Sequence, residues 1–422
     1  MKSFRKDDLR IRVSRWLIPG MGLFALLSGF LFCVLAGAAN LCAAETSEPL
    51  DRIWLTLSDE KARTVTVSWL SPESGVSTVF FGCDETCPTQ ALQPQETIVA
   101  GSVNLNFVQI PMPEETGEDS RCFYRLETRT PDGRTFRSAL HSFQPLSARE
   151  LRLAFVGNVH AQVIPPSVAA QKPHLLCLTG DLVPRLWEDG MTREEARENL
   201  KPYCQLVERN RDLFASVLLM PVPGNHDREI APRGERISGP SESYDVEASA
   251  FCRFFALPES RWKWFLDWEP LSLRLVGLDL NHISDFGTSL QTCHAWQKDS
   301  EQFQWFDRVS QCEKEFLITF QNERCATVRS AESGAWQTLL ARGTLLVAGF
   351  GHYAERAEAD GLTCFNTSLY GRGAKYPDPK KTFFASTDNF LLLTLTPGRL
   401  LCELRDTNSA DVLDRSVREM PR

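Results

Sequence analysis

A chain of 422 residues, 43% hydrophobic and 24% charged, has the composition of a globular protein of about two domains, which excludes an intrinsically disordered chain and a polytopic membrane protein. Its formal net charge of −8 offers no basic surface of the kind that general nucleic-acid binding needs. An acidic chain still admits a small phosphorylated or otherwise anionic substrate, because a bound metal supplies positive charge locally.

The first stretch departs from the rest. Lys2, Arg5, Lys6, Arg10, Arg12 and Arg15 outnumber Asp7 and Asp8, an apolar run follows from Trp16 to about Leu41, and Cys42-Ala43-Ala44 ends it in small residues. This is the pattern of a secretory signal peptide over 1–44. The run is long enough to span a bilayer, so a retained N-terminal anchor is the alternative. A secreted or periplasmic protein with no stable span after cleavage is expected. Cleavage removes six basic and two acidic residues and leaves 40 Lys+Arg against 52 Asp+Glu, a net charge of −12. It leaves eleven cysteines, which an exported chain can oxidise. Cys83 and Cys87 have the spacing of a small loop, the odd total leaves a thiol over, and no spacing forms a zinc knuckle. Cys177, Cys252 and Cys402 sit in apolar contexts that suit burial.

Residues 49–147 carry strand signals only, over 53–57, 64–69, 76–81, 104–110 and 122–128, with a Pro131-Asp132-Gly133 turn. Short strands at regular spacing predict an all-β sandwich domain without clustered catalytic residue types. From about 150 to 400 the pattern changes to apolar strands over 151–156, 175–178, 217–220, 273–278, 316–320, 344–348 and 390–395, separated by helical stretches. The Thr192-Arg193-Glu194-Glu195 spacing is that of a capping box, with Pro202 interrupting its helix, and 296–309 is a second helical candidate. This alternation predicts a layered α/β domain. Residues 401–422 are expected to be a C-terminal tail.

Polar residues gather where these strands end: Gly157-Asn158-Val159-His160, Thr179-Gly180-Asp181, Gly224-Asn225-His226-Asp227, Gln321-Asn322-Glu323 and Gly349-Phe350-Gly351-His352. Any one of them is ordinary turn chemistry. Together they place Asp, Asn and His, ligands suited to Zn, Mn or Fe, at the lip where open α/β sheets bind ligands.

In that order and spacing the blocks resemble the calcineurin-like metallophosphoesterase superfamily, and the preceding sandwich resembles the fibronectin-III-like N-domain of purple acid phosphatases. The resemblance implies a metallophosphoesterase-type β-sandwich flanked by helices, preceded by an all-β fibronectin-III-like domain. It implies hydrolysis of a phosphomonoester or phosphodiester by a metal-bound hydroxide, with one or two divalent or trivalent metal ions per chain. By matched position it implies His226 as the residue that assists the leaving group, and Asp181, Asn225, His352 and His160 as metal ligands, with Asn158 and Asn322 as neutral substitutes. The departures are Asn158 in place of an aspartate, Gln321 or Asn322 in place of an isolated histidine, Ala354 in place of the last histidine, and Pro184 in place of the purple enzymes' tyrosine. They favour a mononuclear or asymmetric centre on Asp181, Asn225, His352 and Asn322, and they leave open a catalytically impaired descendant that binds a phosphorylated ligand without turnover.

His282, Asp285 and His294, in a polar loop after the fourth strand, are candidates to replace a lost ligand, although exposed loop polarity is the commoner fate. Arg228 and the pair Glu323-Arg324 are candidates to contact phosphate. His174 and Trp262, Trp264 and Trp268 read as packing residues, and Asn366-Thr367-Ser368 fits a glycosylation sequon.

Overall fold

The strands Leu151–Val156, Leu175–Thr179 and Leu218–Val222 are buried along nearly their whole length, as strands of a parallel sheet covered on both faces must be. The computed structural model describes residues 48–420 apart from 86–89, 94–95, 101–102, 114–116, 118–119, 234–242, 284–291 and 374–375. The expected signal peptide and Cys87 therefore lie outside the described residues. Among those described, no helix is long and apolar enough to cross a membrane.

The three strands pair in parallel, Leu153 opposite Leu175 and Leu175 opposite Leu218. They sit inside a ten-stranded sheet that runs Val412–Glu419, Arg399–Asp406, Asn389–Thr396, Leu151–Val156, Leu175–Thr179, Leu218–Val222, Ile53–Leu57, Thr64–Ser71, Val103–Pro111, Glu96–Ala100. A second sheet of seven strands has Leu273–Gly277, Phe316–Gln321 and Leu345–Ala348 side by side and parallel. The two sheets face each other through a shared core, in which Phe155 meets Phe320 edge-on at 5.4 Å. A third sheet, built around Val76–Gly82 and Cys122–Arg129, completes the N-terminal layers. Few helices flank the sheets. Lys201–Arg209 buries Tyr203, Leu206 and Val207, and Cys325–Leu340 is broken by non-helical residues at 331–334.

The expected class therefore stands: a metallophosphoesterase-type sandwich with a strand-rich N-terminal region. Its internal boundaries differ from those read in the sequence. Residues 49–147 do not form a separate body, because Leu55 and Thr56 pair with Leu218 and Leu219 and extend the sheet of the later strands. Trp54 stacks on Phe254 at 4.3 Å, and Tyr124 donates its hydroxyl to the carbonyl of Ala215 at 2.6 Å. Ser47 to Arg422 is one compact unit. Residues 401–422 are not a tail: Arg399–Asp406 and Val412–Glu419 are strands that close the sheet, with Leu400, Cys402 and Leu404 buried. The capping box at Thr192 is present, but its helix spans only Arg193–Arg197, and Pro202 opens the next helix rather than interrupting this one.

Glu355, buried at the start of Ala354–Ala359, accepts the backbone N–H of Asp378 at 2.7 Å. Burial, aided by the negative charge of Asp378, pushes its carboxyl up to about 7 against the opposing N–H, Lys381 and Arg329. A carboxyl raised on folding binds protons more tightly in the native state, so stability falls as pH rises from the ordinary glutamate range through about 7. Denaturant melts between pH 5 and 8 should show this fall in the parent and a shallower one in Glu355→Gln, which keeps the acceptor oxygen. Equal slopes would remove Glu355 as the cause.

Candidate metal centre

Because the central strands of each sheet run parallel, Leu151–Val156, Leu175–Thr179 and Leu218–Val222 in one and Leu273–Gly277, Phe316–Gln321 and Leu345–Ala348 in the other, their C-terminal exits lie along one lip, and the two lips meet. Asn158 donates its side-chain N–H to Gly349 and, at 2.9 Å, to Ser368 Oγ. Asn322 donates to the Thr179 carbonyl at 3.0 Å. Each bond joins a loop of one sheet to the other. The backbone is bent hard to bring the ligands in. Asn158, His160, Ala161, Asp181 and His352 all adopt left-handed φ values between +46° and +56°, a conformation that non-glycine residues hold only where the surroundings enforce it. Gly224 has no freedom to be anything larger, since a Cβ there would fall 2.2 Å from Asp181 Oδ1.

Ligand atoms of His160, Asp181 and His226 lie within 4.8 Å of one another. The rings of His160 and His226 meet edge-on with centroids 4.7 Å apart, and Asp181 Oδ1 accepts the backbone N–H of His226 at 3.1 Å. Burial by itself would raise the Asp181 carboxyl; His226, His160 and that N–H outweigh it and hold the group below its usual range. Burial pushes His160 down to about 4, with Asp181 opposing and the neighbouring His226 and His352 adding to the fall. His160 is therefore a neutral imidazole with a lone pair to offer.

His226 is fixed by partners of opposite kind. Its Nδ1 lies 2.6 Å from the carbonyl oxygen of Pro184, an acceptor only. Its Nε2 lies 3.2 Å from Nη2 of Arg233, a donor only. These partners put the proton on Nδ1 and the lone pair on Nε2. Around the cluster, the side-chain oxygens of Asn158, Asn225 and Asn322 are buried and have no hydrogen-bond partner among the described residues. Buried amide oxygens rarely go unsatisfied. Three of them, with the Asp181 carboxylate and the neutral His160, are oxygen and nitrogen donors of the kind a divalent metal takes.

Of the histidines and the aspartate expected in the site, His160, Asp181 and His226 come together within 4.8 Å. His352 stands outside that set but still acts electrostatically on His160. Asn322, rather than Gln321, lies against the Gly180 turn, where a Cβ on Gly180 would come within 2.8 Å of Asn322 Cβ; Gln321 turns its amide to the Glu323 carbonyl at 2.6 Å. Ala354 is fully buried in the core and offers no donor. His282 is near enough for its charge to act on Asp181, and its ring abuts Phe350 at 5.0 Å. Asp285 lies outside the described residues. His294 is engaged elsewhere, bonded to Asp279 at 2.7 Å and stacked on Trp262 at 3.6 Å.

Arg228 is corrected as a phosphate contact: it is fully buried and paired with Asp279 at 2.6 Å. Arg324 faces the rings of Tyr376 and Phe350 at 5.1 and 6.0 Å. His174 accepts the N–H of Arg152 at 3.1 Å, a packing role. The sequon residues Asn366, Thr367 and Ser368 are buried, so they are not a surface acceptor. Asn366 instead holds the Gly349–His352 loop by accepting the N–H of Gly351 at 2.9 Å.

Sequence reasoning missed four contributors. Asp227 accepts N–H groups from Gly224 at 2.8 Å, Leu182 at 3.0 Å and Val183 at 3.3 Å, and so locks the Gly-Asn-His loop to the Gly-Asp loop. Ser368 orients Asn158. Tyr370 sets its ring against His160 at 5.1 Å, and Arg233 touches His226. The invitation to look at Asp227 was its place in the motif; Ser368 lies in a sequon that points to glycosylation instead, and Tyr370 and Arg233 sit in segments with no periodic or motif signal.

The family model for calcineurin-like phosphoesterases matches residues 149–352. A search of curated proteins finds no match to the chain. Among solved structures, the chain is similar to a purple acid phosphatase, PPD1, from yellow lupin (Lupinus luteus) seeds, with a TM-score of 0.64 at 15% identity over 88% of this chain and 75% of that one. It is also similar to PhoD, with a TM-score of 0.59 at 12% identity over 89% of this chain and 90% of the other. At such identities the likeness is one of fold. Residues 149–352 thus match the model of the calcineurin-like phosphoesterase domain, and the chain shares the fold of these two structures.

Proposed function

We propose that this chain is an exported, metal-dependent phosphoesterase that hydrolyses a phosphomonoester or phosphodiester at the strand-exit site. The observation that carries the reading is the donor set itself: the partnerless oxygens of Asn158, Asn225 and Asn322 beside Asp181 and the neutral His160. Those residues, with His352, would hold a metal of the Zn, Mn or Fe type. When bound, such a metal neutralises charge on the phosphoryl oxygens and makes a water a stronger nucleophile. Asp181 supplies the anion that retains the cation. His226 moves the proton: its Nε2 lone pair accepts one during attack and returns it to the leaving oxygen. Pro184, by holding Nδ1–H, keeps that lone pair on Nε2.

The donor set supports one metal rather than two. Asn158 is neutral where a second cation would need a carboxylate, and Ala354 contributes nothing. This shifts the centre from the set expected in the sequence toward His160 and Asp181, whose ligand atoms lie within 4.8 Å of each other. The same losses motivate a second reading, a descendant that binds a phosphorylated ligand without cleaving it.

Assays with chromogenic phosphate esters across several metals and pH values separate the two. Turnover is expected, and His226→Ala should lower it by about 100-fold or more. Absence of turnover in folded, metal-loaded protein that still binds orthophosphate would establish the second reading. A second prediction tests the metal fit without relying on activity. Asn158→Asp replaces a donor with a carboxylate oxygen facing the Gly349 carbonyl, which should cost the metal-free protein about 1–3 kcal/mol. Added metal should then raise the variant's melting temperature more than the parent's. An equal rise in both would place Asn158 outside the metal's reach.

A further inference from the structure

Arg233 belongs to none of the strand-exit motifs, yet it reaches into the site. Its Nε donates to Glu229 Oε2 at 2.9 Å. Glu229 is itself buried and accepts Trp187 Nε1–H on its other oxygen at 3.3 Å. The guanidinium is thus anchored at one end by an oriented carboxylate. At its other end Nη2 meets His226 Nε2 at 3.2 Å. The ring of Tyr244 lies 5.8 Å from the guanidinium carbon. Arg228 is committed to Asp279, whereas Arg324 lies 3.6 Å from Glu323 and over two aromatic rings, and no contact joins it to His226 among the described residues.

We propose that Arg233 is the phosphoryl-binding arginine of this site and that it selects a phosphomonoester dianion. The inference rests on the phosphoesterase reading above. The guanidinium is a planar fork of donors that matches two phosphoryl oxygens at once. A monoester has three non-bridging oxygens, so the fork can take two and leave one for the metal. A diester has only two and cannot satisfy both. The charges agree, because Asp181 and the Arg233–Glu229 pair leave a net positive charge for a phosphoryl anion once a divalent cation is present. Binding also frees the base. When Nη2 turns to a phosphoryl oxygen it leaves His226 Nε2, and the lone pair that accepts the proton becomes available only with substrate in place.

The test uses the full metal-loaded protein, orthophosphate as the binding probe in calorimetry, and nitrophenyl phosphate and bis-nitrophenyl phosphate as monoester and diester. Arg233→Gln should weaken orthophosphate binding by about 10- to 100-fold, the effect of losing hydrogen bonds to a charged group. It should lower kcat/KM for the monoester more than for the diester. Arg233→Lys, which keeps the charge and loses the fork, should recover part of the binding and less of the ester preference, and it guards against misfolding of the first variant. Orthophosphate binding unchanged in Arg233→Gln, or equal losses on the two esters, would overturn the proposal while leaving the phosphoesterase reading in place. A parent that cleaves neither ester but binds orthophosphate through Arg233 would overturn the activity and keep the binding role. A parent that neither binds orthophosphate nor cleaves either ester would overturn both.

Discussion

The carboxylate of Asp227 holds the site together. It is fully buried, and it receives N–H groups from Gly224 on its own loop and from Leu182 and Val183 on the neighbouring one. Those bonds fix the Gly-Asn-His turn against the Gly-Asp turn, so that the His226 N–H meets Asp181 and the two imidazoles meet edge-on. Burial, together with the neighbouring charge of Asp181, pushes the Asp227 carboxyl up to about 7, against the pull of the N–H groups. A group under that tension is a positioning device whose partners must all be kept. The same logic explains the left-handed residues at the strand exits: they are held by cross-loop bonds rather than by local preference.

The chemistry at the exits is poor in charge for the phosphate-handling site proposed here. One carboxylate, neutral imidazoles and amide oxygens make a soft electrostatic cage in which each remaining donor matters. Neutral amide oxygens bind a cation less strongly than carboxylates do, so the cage suits a single metal whose charge is balanced by Asp181 and by an anionic substrate. The loss of Ala354's donor is absorbed structurally, because that position has become part of the core.

Much of this was legible in the sequence. Parallel strands covered on both faces read as continuous apolar runs, and Leu151–Val156 began and ended where the run did. The strand exits were legible because ligand residue types recur there with glycines that only a tight turn requires. What the sequence hid was pairing between distant segments. Nothing in Ile53–Leu57 announces that it extends the same sheet as Leu218–Val222, and the alternation of 399–419 is too weak to separate two closing strands from a tail. The partners that tune the site were hidden for the same reason. Pro184, Arg233, Ser368 and Tyr370 act through a carbonyl, a guanidinium, a hydroxyl and a ring brought in by the fold, and such contacts leave no spacing to read.

The central claim is that these strand exits hold one metal in a cage with a single carboxylate. Elemental analysis of protein purified without added metal and then dialysed tests it most directly. The account predicts one tightly held transition-metal ion per chain, lost on Asp181→Ala. Two tightly held ions per chain, or one that survives that substitution, would contradict it.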